Sequence, residues 1–213
     1  LRRHKRKWIY LLALMGAGTL LADGIITPAI TVTTAIEGLE SVSPHLPVLP
    51  ITLAIITVVF FVQRFGTESI GKSFGGFMLL WFLLLGAVGT ISLVSYPQVI
   101  RALNPYYALR LLATSPEWFL VLGAVFLCTT GAEALYSDLG HCGRRNITVS
   151  WAFVKTMLIL NYLGQGAWIL CHADVAASVN PFYAIMPQGL LIFSIVMATG
   201  AAIVASQALI SGT

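Results

Sequence analysis

The chain has 213 residues, of which 58% are hydrophobic and only 9% are charged. Soluble domains carry about 25% charged residues, so this composition excludes an ordinary soluble enzyme or binding module and indicates an integral membrane protein. The formal net charge of +4 does not indicate a nucleic-acid partner, because the basic residues lie in short stretches between apolar runs. The three cysteines are too scattered to predict a disulfide framework or a zinc site.

Six apolar runs are predicted to cross the membrane. The hydrocarbon core offers no water to backbone polar groups, so each run is expected to be a helix and the chain an all-α membrane protein. The six predicted spans cover residues 8–36, 47–63, 74–93, 118–136, 149–170 and 190–210. The first is longer than about 30 Å of hydrocarbon requires, so we expect tilt or a kink at Pro28. The chain begins without Met and stops soon after the last run, and we expect it to be a piece of a longer protein.

The basic residues predict the direction of the spans. If the first residues are cytoplasmic, the inner segments hold nine Lys and Arg residues, whereas the outer segments hold only Arg101 and Arg110. Cytoplasmic segments of membrane proteins are enriched in these residues. Both ends of the chain are therefore predicted to be cytoplasmic.

Two connections are predicted to contain short helices. Asn104-Pro105 is a helix start signal, and residues 106–113 have their apolar positions on one face. We expect this helix to lie at the outer membrane interface, where tyrosine side chains are common. Residues 180–183, Asn-Pro-Phe-Tyr, indicate a second element of this kind before the last span.

The first candidate site lies in the first span around Asp23. A carboxylate at the centre of a span costs about 2.5–3.5 kcal/mol on insertion scales, which favours a functional role. Thr19, Asp23 and Thr27 are spaced by four and share a helix face. Pro28 has no N–H to donate to the Gly24 carbonyl, and an acidic oxygen beside a released carbonyl is typical of a cation site. Alternatively, Asp23 caps a helix start or pairs with a neighbouring helix for structure alone.

The second candidate site lies in the fourth span, where Thr129, Thr130 and Gly131 precede Glu133. Threonine and glycine lower helix propensity, so the helix is expected to unwind here and expose carbonyls that coordinate ions. Glu133 could exchange a proton if desolvation raises its pKa. If the helix is continuous, Thr129 and Glu133 share a face with Tyr136 or Ser137. Alternatively, Glu133 is solvated at the inner surface and the threonines only pack between helices.

Amides and hydroxyls in the last two spans are predicted to be structural. Asn161 and Gln165 lie four residues apart, and Ser206 and Gln207 are adjacent. Such side chains usually form hydrogen bonds between membrane helices.

These residues together resemble the Kup family of potassium uptake transporters. The similarity runs through nearly the whole chain in order, which is more specific than any single motif. The matching stretches are Ala-Asp-Gly-Ile-Ile-Thr-Pro-Ala-Ile (22–30), Ala-Ile-Glu-Gly-Leu (35–39), Gln-Arg-Phe-Gly-Thr (63–67), Gly-Ala-Glu-Ala-Leu-Tyr-Ser-Asp-Leu-Gly-His (131–141), Leu-Asn-Tyr-Leu-Gly-Gln-Gly-Ala (160–167), Asn-Pro-Phe-Tyr (180–183) and Ala-Ser-Gln-Ala-Leu-Ile-Ser-Gly (205–212).

The resemblance implies a multi-pass plasma-membrane protein of about twelve spans, with this chain as the third to the eighth, in a LeuT-like inverted-repeat fold of the amino acid/polyamine/cation superfamily. It implies potassium import, generally with protons, with potassium near Asp23, Thr129 and Thr130. No cofactor is implied, the lipid bilayer is the expected partner, and a homodimer is one candidate assembly. Because the family's first helix, with its Gly-Asp-Ile-Gly motif, is missing, the chain alone is not expected to hold a complete site.

Three other functions compete with potassium transport. A carrier for an amino acid or other small solute would use the same scaffold, but no Arg or Lys lies mid-span to receive a carboxylate. A membrane enzyme could use Asp23 and Glu133 as a carboxylate pair, yet no nucleophile–base arrangement accompanies them. A passive channel is disfavoured because no repeated carbonyl filter sequence is visible. Proton-coupled potassium transport is the favoured hypothesis.

Overall fold

A computed structural model describes residues 7–38, 47–63, 68–128, 144–175 and 179–212 of the chain. Over these residues the chain forms helices and short connections, with no strand. The predicted all-helical class is thereby confirmed for the described part of the chain.

The helices coincide with the apolar runs of the sequence. Four helical segments in the described ranges are long and apolar enough to cross a membrane: Trp8–Glu37, Phe74–Ser95, Arg144–Cys171 and Gln188–Gln207. In chain order the helices are α1 (Lys7–Glu37), α2 (Val48–Gln63), α3 (Glu68–Ser95), a 3-10 helix (Pro97–Leu103), α4 (Pro105–Thr114), α5 (Trp118–Cys128), α6 (Arg144–Cys171), α7 (Pro181–Ala184), a second 3-10 helix (Gln188–Leu190) and α8 (Leu191–Gly212). The number of membrane spans stays a prediction, since α2 has 16 residues and α5 is described for only 11.

Helix α1 runs for 31 residues and remains α-helical through Pro28. At about 1.5 Å per residue it exceeds the roughly 30 Å hydrocarbon core, and the tilt or kink expected from the sequence stays a prediction. Proline removes one backbone hydrogen bond, but the turns on either side keep theirs, and the helix continues.

The described residues divide into two compact units, and each is described by itself. In the first unit, which comprises Leu1–Gly75 and Ile192–Thr213, α1 packs against α2. Four α1 residues spaced by four form a buried stripe, namely Gly24, Pro28, Val32 and Ile36. Helix α8 contributes a second buried surface, rich in small side chains: Ser194, Ala198, Ala201, Ala202 and Ser206.

The second unit, Gly76–Leu191, is built on a close crossing of α3 and α6. A Cβ atom added to Gly89 would lie 2.5 Å from both the Asn161 Cα and the Leu160 carbonyl oxygen. A Cβ atom on Gly164 would lie 2.6 Å from the Gly89 Cα. Membrane helices approach this closely only where small residues meet. The Ser92 hydroxyl bridges the two helices by donating to the Gly164 carbonyl oxygen at 2.8 Å.

Helix α6 also holds the shorter elements of this unit. Val99 is the one buried residue of the first 3-10 helix, and its Cγ2 lies 3.2 Å from the position of a Cβ on Gly166. Helix α7 contacts α6, and the Phe182 ring packs on Trp81 of α3 with 5.9 Å between ring centroids.

The two predicted short helices are present and begin in the same way. The Asn104 side chain accepts a hydrogen bond from the Tyr106 N–H at 3.0 Å, and the Asn180 side chain accepts one from the Phe182 N–H at 3.0 Å. In each case proline follows the asparagine, at the position where a missing N–H is harmless. The 3-10 helix Pro97–Leu103, which precedes α4, was not predicted from the sequence.

Candidate ion pathway

The first group of predicted site residues lies on α1. Gly24 and Pro28 are buried, Thr27 is half-buried and Thr19 is exposed. The Thr19 hydroxyl donates to the Gly16 carbonyl oxygen at 2.9 Å. Asp23 belongs to the same helix, but its side chain lies outside the described part of the structure. Gly24 and Pro28, between which proline cannot supply the usual backbone hydrogen bond, are both residues of the buried stripe of α1.

Three threonines on the next turns of α1 were not selected from the sequence. Thr31 donates to the Thr27 carbonyl oxygen at 2.6 Å, and Thr33 donates to the Ala29 carbonyl oxygen at 2.7 Å. Thr34 donates to the Ile30 carbonyl oxygen at 2.9 Å. A hydroxyl that donates its hydrogen in this way keeps two oxygen lone pairs with which to face a cation. The spacing of four between Thr27 and Thr31 was the signal available in the sequence.

The second group of predicted site residues cannot be placed. Helix α5 is described to Cys128, which is exposed and not disulfide-bonded. Thr129, Thr130, Gly131, Glu133 and Tyr136 all lie outside the described residues. The helix break expected at residues 129–131, and the potassium site expected near Asp23, Thr129 and Thr130, stay predictions.

Three buried polar atoms were not recognised as a group from the sequence. Thr52, Asn161 and Gln207 are only 3%, 4% and 5% exposed. Within the described residues, the Thr52 Oγ1, Asn161 Oδ1 and Gln207 Oε1 atoms have no hydrogen-bond partner. Leaving a buried polar atom unpaired costs about 1–3 kcal/mol, so an apolar side chain at each of these positions would avoid that cost.

The structural roles predicted for the polar residues of α6 and α8 are met only in part. Asn161 is buried at the α3–α6 crossing, as an interhelical residue should be, yet its Oδ1 makes no bond in the described region. The Ser206 hydroxyl is buried and donates to the Ala202 carbonyl oxygen of its own helix at 2.7 Å, so its hydrogen bond lies within one helix. Serine readily bonds back to the preceding turn, because that carbonyl is always within reach. The α3–α6 hydrogen bond comes instead from Ser92.

The charges and metal ligands of the described helices are sparse. Lys155 of α6 is exposed, and its Nζ lies 4.4 Å from the centroid of the Trp151 ring. Trp151 is one turn nearer the start of α6, so the ammonium reaches back toward the helix end in a cation–π contact. Among the described residues, no three His, Cys, Asp or Glu side chains are grouped so that they could hold a metal ion.

Long apolar helices, a close glycine-mediated crossing and polar side chains buried in an apolar chain define a multi-pass integral membrane protein. The family described as "K+ potassium transporter integral membrane domain" matches residues 1–213. The chain therefore belongs to this potassium transporter family, which confirms the family to which the sequence motifs pointed.

Relatives in several bacteria are similar over the full length of the chain. It is 50% identical over 221 residues to the "Probable potassium transport system protein Kup" of Flavobacterium johnsoniae, with 100% of the chain and 34% of the relative covered. Identity is 53% over 223 residues to "Probable potassium transport system protein Kup 1" of Lactococcus lactis subsp. lactis, covering 99% of the chain and 33% of the relative. The chain is 52% identical over 227 residues to the "Probable potassium transport system protein Kup" of Enterococcus faecalis, with 99% of the chain and 34% of the relative covered. The chain thus spans about a third of the length of these curated relatives, and no solved structure matches it.

Proposed function

We propose that the full-length protein imports potassium ions across the plasma membrane by secondary active transport, with protons as the co-transported ions. The carrying observation is the similarity to potassium transport proteins through all 213 residues, at 50–53% identity to several of them. These relatives are named as transport proteins, which supports a transporter rather than an enzyme. In a bacterium the plasma membrane in question is the inner membrane.

The proposed ion pathway uses the two clusters selected from the sequence. Asp23 and Thr27 supply it from α1, and Thr129, Thr130 and Glu133 supply it from the segment after α5. A dehydrated potassium ion needs several oxygen ligands at once, and hydroxyls and released carbonyls are suitable ones. Potassium is proposed to bind near Asp23, Thr129 and Thr130, with five supporting residues: Thr19, Gly24, Pro28, Gly131 and Tyr136. No cofactor is needed.

The packing of α1 supports a role for its middle section. Gly24 and Pro28 lie on the buried stripe, which is the protein-facing side of the helix. The Thr31 hydroxyl donates its hydrogen to the Thr27 carbonyl oxygen. The lone pairs of the Thr31 hydroxyl oxygen can therefore still bind a cation. We therefore add Thr31 to the proposed pathway.

Proton coupling is proposed to act through Glu133. A carboxyl group in a membrane protein favours its neutral form when desolvated, so Glu133 can hold a proton during transport. In a symport, Glu133 would bind a proton from the outer side and release it to the cytoplasm together with potassium, so that both cations cross in the same direction. The proposal also includes a LeuT-like repeat fold, a cytoplasmic position for both chain ends and a homodimeric assembly.

The experiment is potassium uptake by the full-length protein in a strain that requires potassium, measured with and without a protonophore. Asp23→Asn should lower uptake by about tenfold or more at normal membrane abundance, since a lost charged ligand costs about 1.5–3 kcal/mol. Glu37→Gln is the matched control, because Glu37 is an exposed carboxylate at the end of the same helix. Uptake of an amino acid instead of potassium would replace the proposal with the small-solute carrier. Potassium uptake that is unchanged by the protonophore would contradict proton coupling and leave the proposal of potassium transport intact.

A further inference from the structure

The connection between α3 and α5 contains an amphipathic helix whose side chains are all exposed or half-buried within the described part of the chain. Helix α4 has ten residues, and none of them is buried. At about 100° per residue, Leu109, Leu112 and Ala108 fall on one side, while Tyr106 and Arg110 fall on the other. Thr114 lies on the same side as Arg110. Such a helix is stable only if its apolar side meets an apolar phase.

The helices that precede and follow α4 in the chain also carry exposed apolar side chains. Leu109 is 66% exposed, and Val94 in the last turn of α3 is 74% exposed. Phe119 in the first turn of α5 is 75% exposed. Since α3 is long and apolar enough to cross a membrane, its exposed side chains have acyl chains as their natural neighbours. Only residues 96–104 separate α3 from α4, so α4 begins close to the end of a helix that is long enough to cross a membrane.

The segment before α4 holds it in place at this end of the unit. Val99 anchors the 3-10 helix against α6, and the Asn104 cap begins α4 directly after it. With ten residues, α4 is about 15 Å long, too short to cross the membrane. It can only lie along the surface of the bilayer or stand away from it.

We propose that α4 lies in the plane of the membrane interface, with Leu109 and Leu112 among the acyl chains and Arg110 among the lipid phosphates. The exposed guanidinium groups of Arg101 and Arg110 complement phosphate, which they can bind through paired N–H donors. Trp118 at the start of α5 is of the residue type that is enriched at this level of a bilayer.

The test is a nitroxide scan of residues 108–114 in the full-length protein, with its native cysteines replaced by serine. The protein is reconstituted in vesicles of phosphatidylcholine and phosphatidylglycerol, and each label is measured for oxygen and nickel-chelate accessibility. Labels at Leu109 and Leu112 should lie about 5–10 Å below the phosphates, rich in oxygen and poor in nickel. Labels at Arg110 and Thr114 should show the reverse. Nickel access at every position would mean an aqueous loop, and low access to both reagents at Leu109 would mean a protein cover; either result overturns the proposal.

The role of the guanidinium is tested with Leu109 labelled. Arg110→Gln should raise nickel accessibility at residue 109 by about twofold or more, because each basic residue near an anionic surface contributes roughly 1 kcal/mol. Arg110→Lys is the control and should retain most of the protection, since it keeps the charge. Equal protection in the Gln and Lys variants would contradict contact between Arg110 and lipid phosphate.

Discussion

Gly89 of α3 is a position at which even the smallest added side chain would collide with a neighbouring helix. Its Cβ would lie 2.5 Å from the Asn161 Cα and from the Leu160 carbonyl oxygen, both of which are backbone atoms of α6. Ordinary van der Waals contact begins near about 3.5 Å, so Gly89→Ala requires the helices to separate by roughly 1 Å. Neither neighbouring atom can rotate away, because both belong to the main chain.

The expected loss of stability has two parts. Overpacking costs about 1–3 kcal/mol. Separation of the helices also stretches the bond from Ser92 to the Gly164 carbonyl, and such bonds in membrane proteins average about 0.6 kcal/mol. The higher helix propensity of alanine offsets about 1 kcal/mol of this loss, so Gly89→Ala should lower the free energy of unfolding by roughly 0.5–2.5 kcal/mol, and Ser92→Ala alone by less than about 1 kcal/mol.

The assay is thermal unfolding of the purified full-length protein in detergent, followed by intrinsic fluorescence. The matched control is Gly76→Ala in the same helix, because a Cβ at Gly76 would meet nothing within 4 Å. That variant should be neutral or slightly stabilising, since alanine has the higher helix propensity by about 1 kcal/mol. If the Gly89 and Gly76 variants unfold at the same temperature, the reasoning from the α3–α6 crossing is refuted.

Three further predictions concern the proposed pathway and topology. Thr130→Val should weaken apparent potassium affinity by about tenfold, the equivalent of about 1.4 kcal/mol for one lost ligand, and an unchanged affinity in uptake assays would exclude its hydroxyl from the site. Glu133→Gln should chiefly reduce the protonophore-sensitive part of uptake; a variant that keeps this part would need another proton acceptor. Single cysteines at His45 and Ser178 should react with an impermeant maleimide from outside and one at Asn146 should not, whereas the reverse pattern would invert the orientation.

The residues of the candidate site show the limits of sequence reasoning. The position of Asp23 in a long helix follows from apolar length alone, and so does that of Thr27. The packed side of α1 cannot be predicted in this way. A membrane helix is apolar on all sides, so its hydrophobic pattern does not distinguish the side that faces protein from the side that faces lipid. The buried stripe from Gly24 to Ile36 became visible only when α2 and the rest of its unit were present. The second cluster, residues 129–136, lies outside the described residues and rests on sequence alone.

Local chemistry in the sequence by itself determined the membrane class, the helical character of the apolar runs and the starts of the two short helices. Apolar length, backbone satisfaction in lipid and an Asn-Pro cap each act within one segment, so no distant contact is needed to predict them. Only the tertiary structure decided that Gly89 meets Gly164, that Ser92 bonds across the crossing, and that Val99 holds a 3-10 helix against α6. These are contacts between residues more than sixty positions apart, and glycine, serine and valine carry no local signal of the helix they will meet. Packing complementarity between two complete helix surfaces selects them.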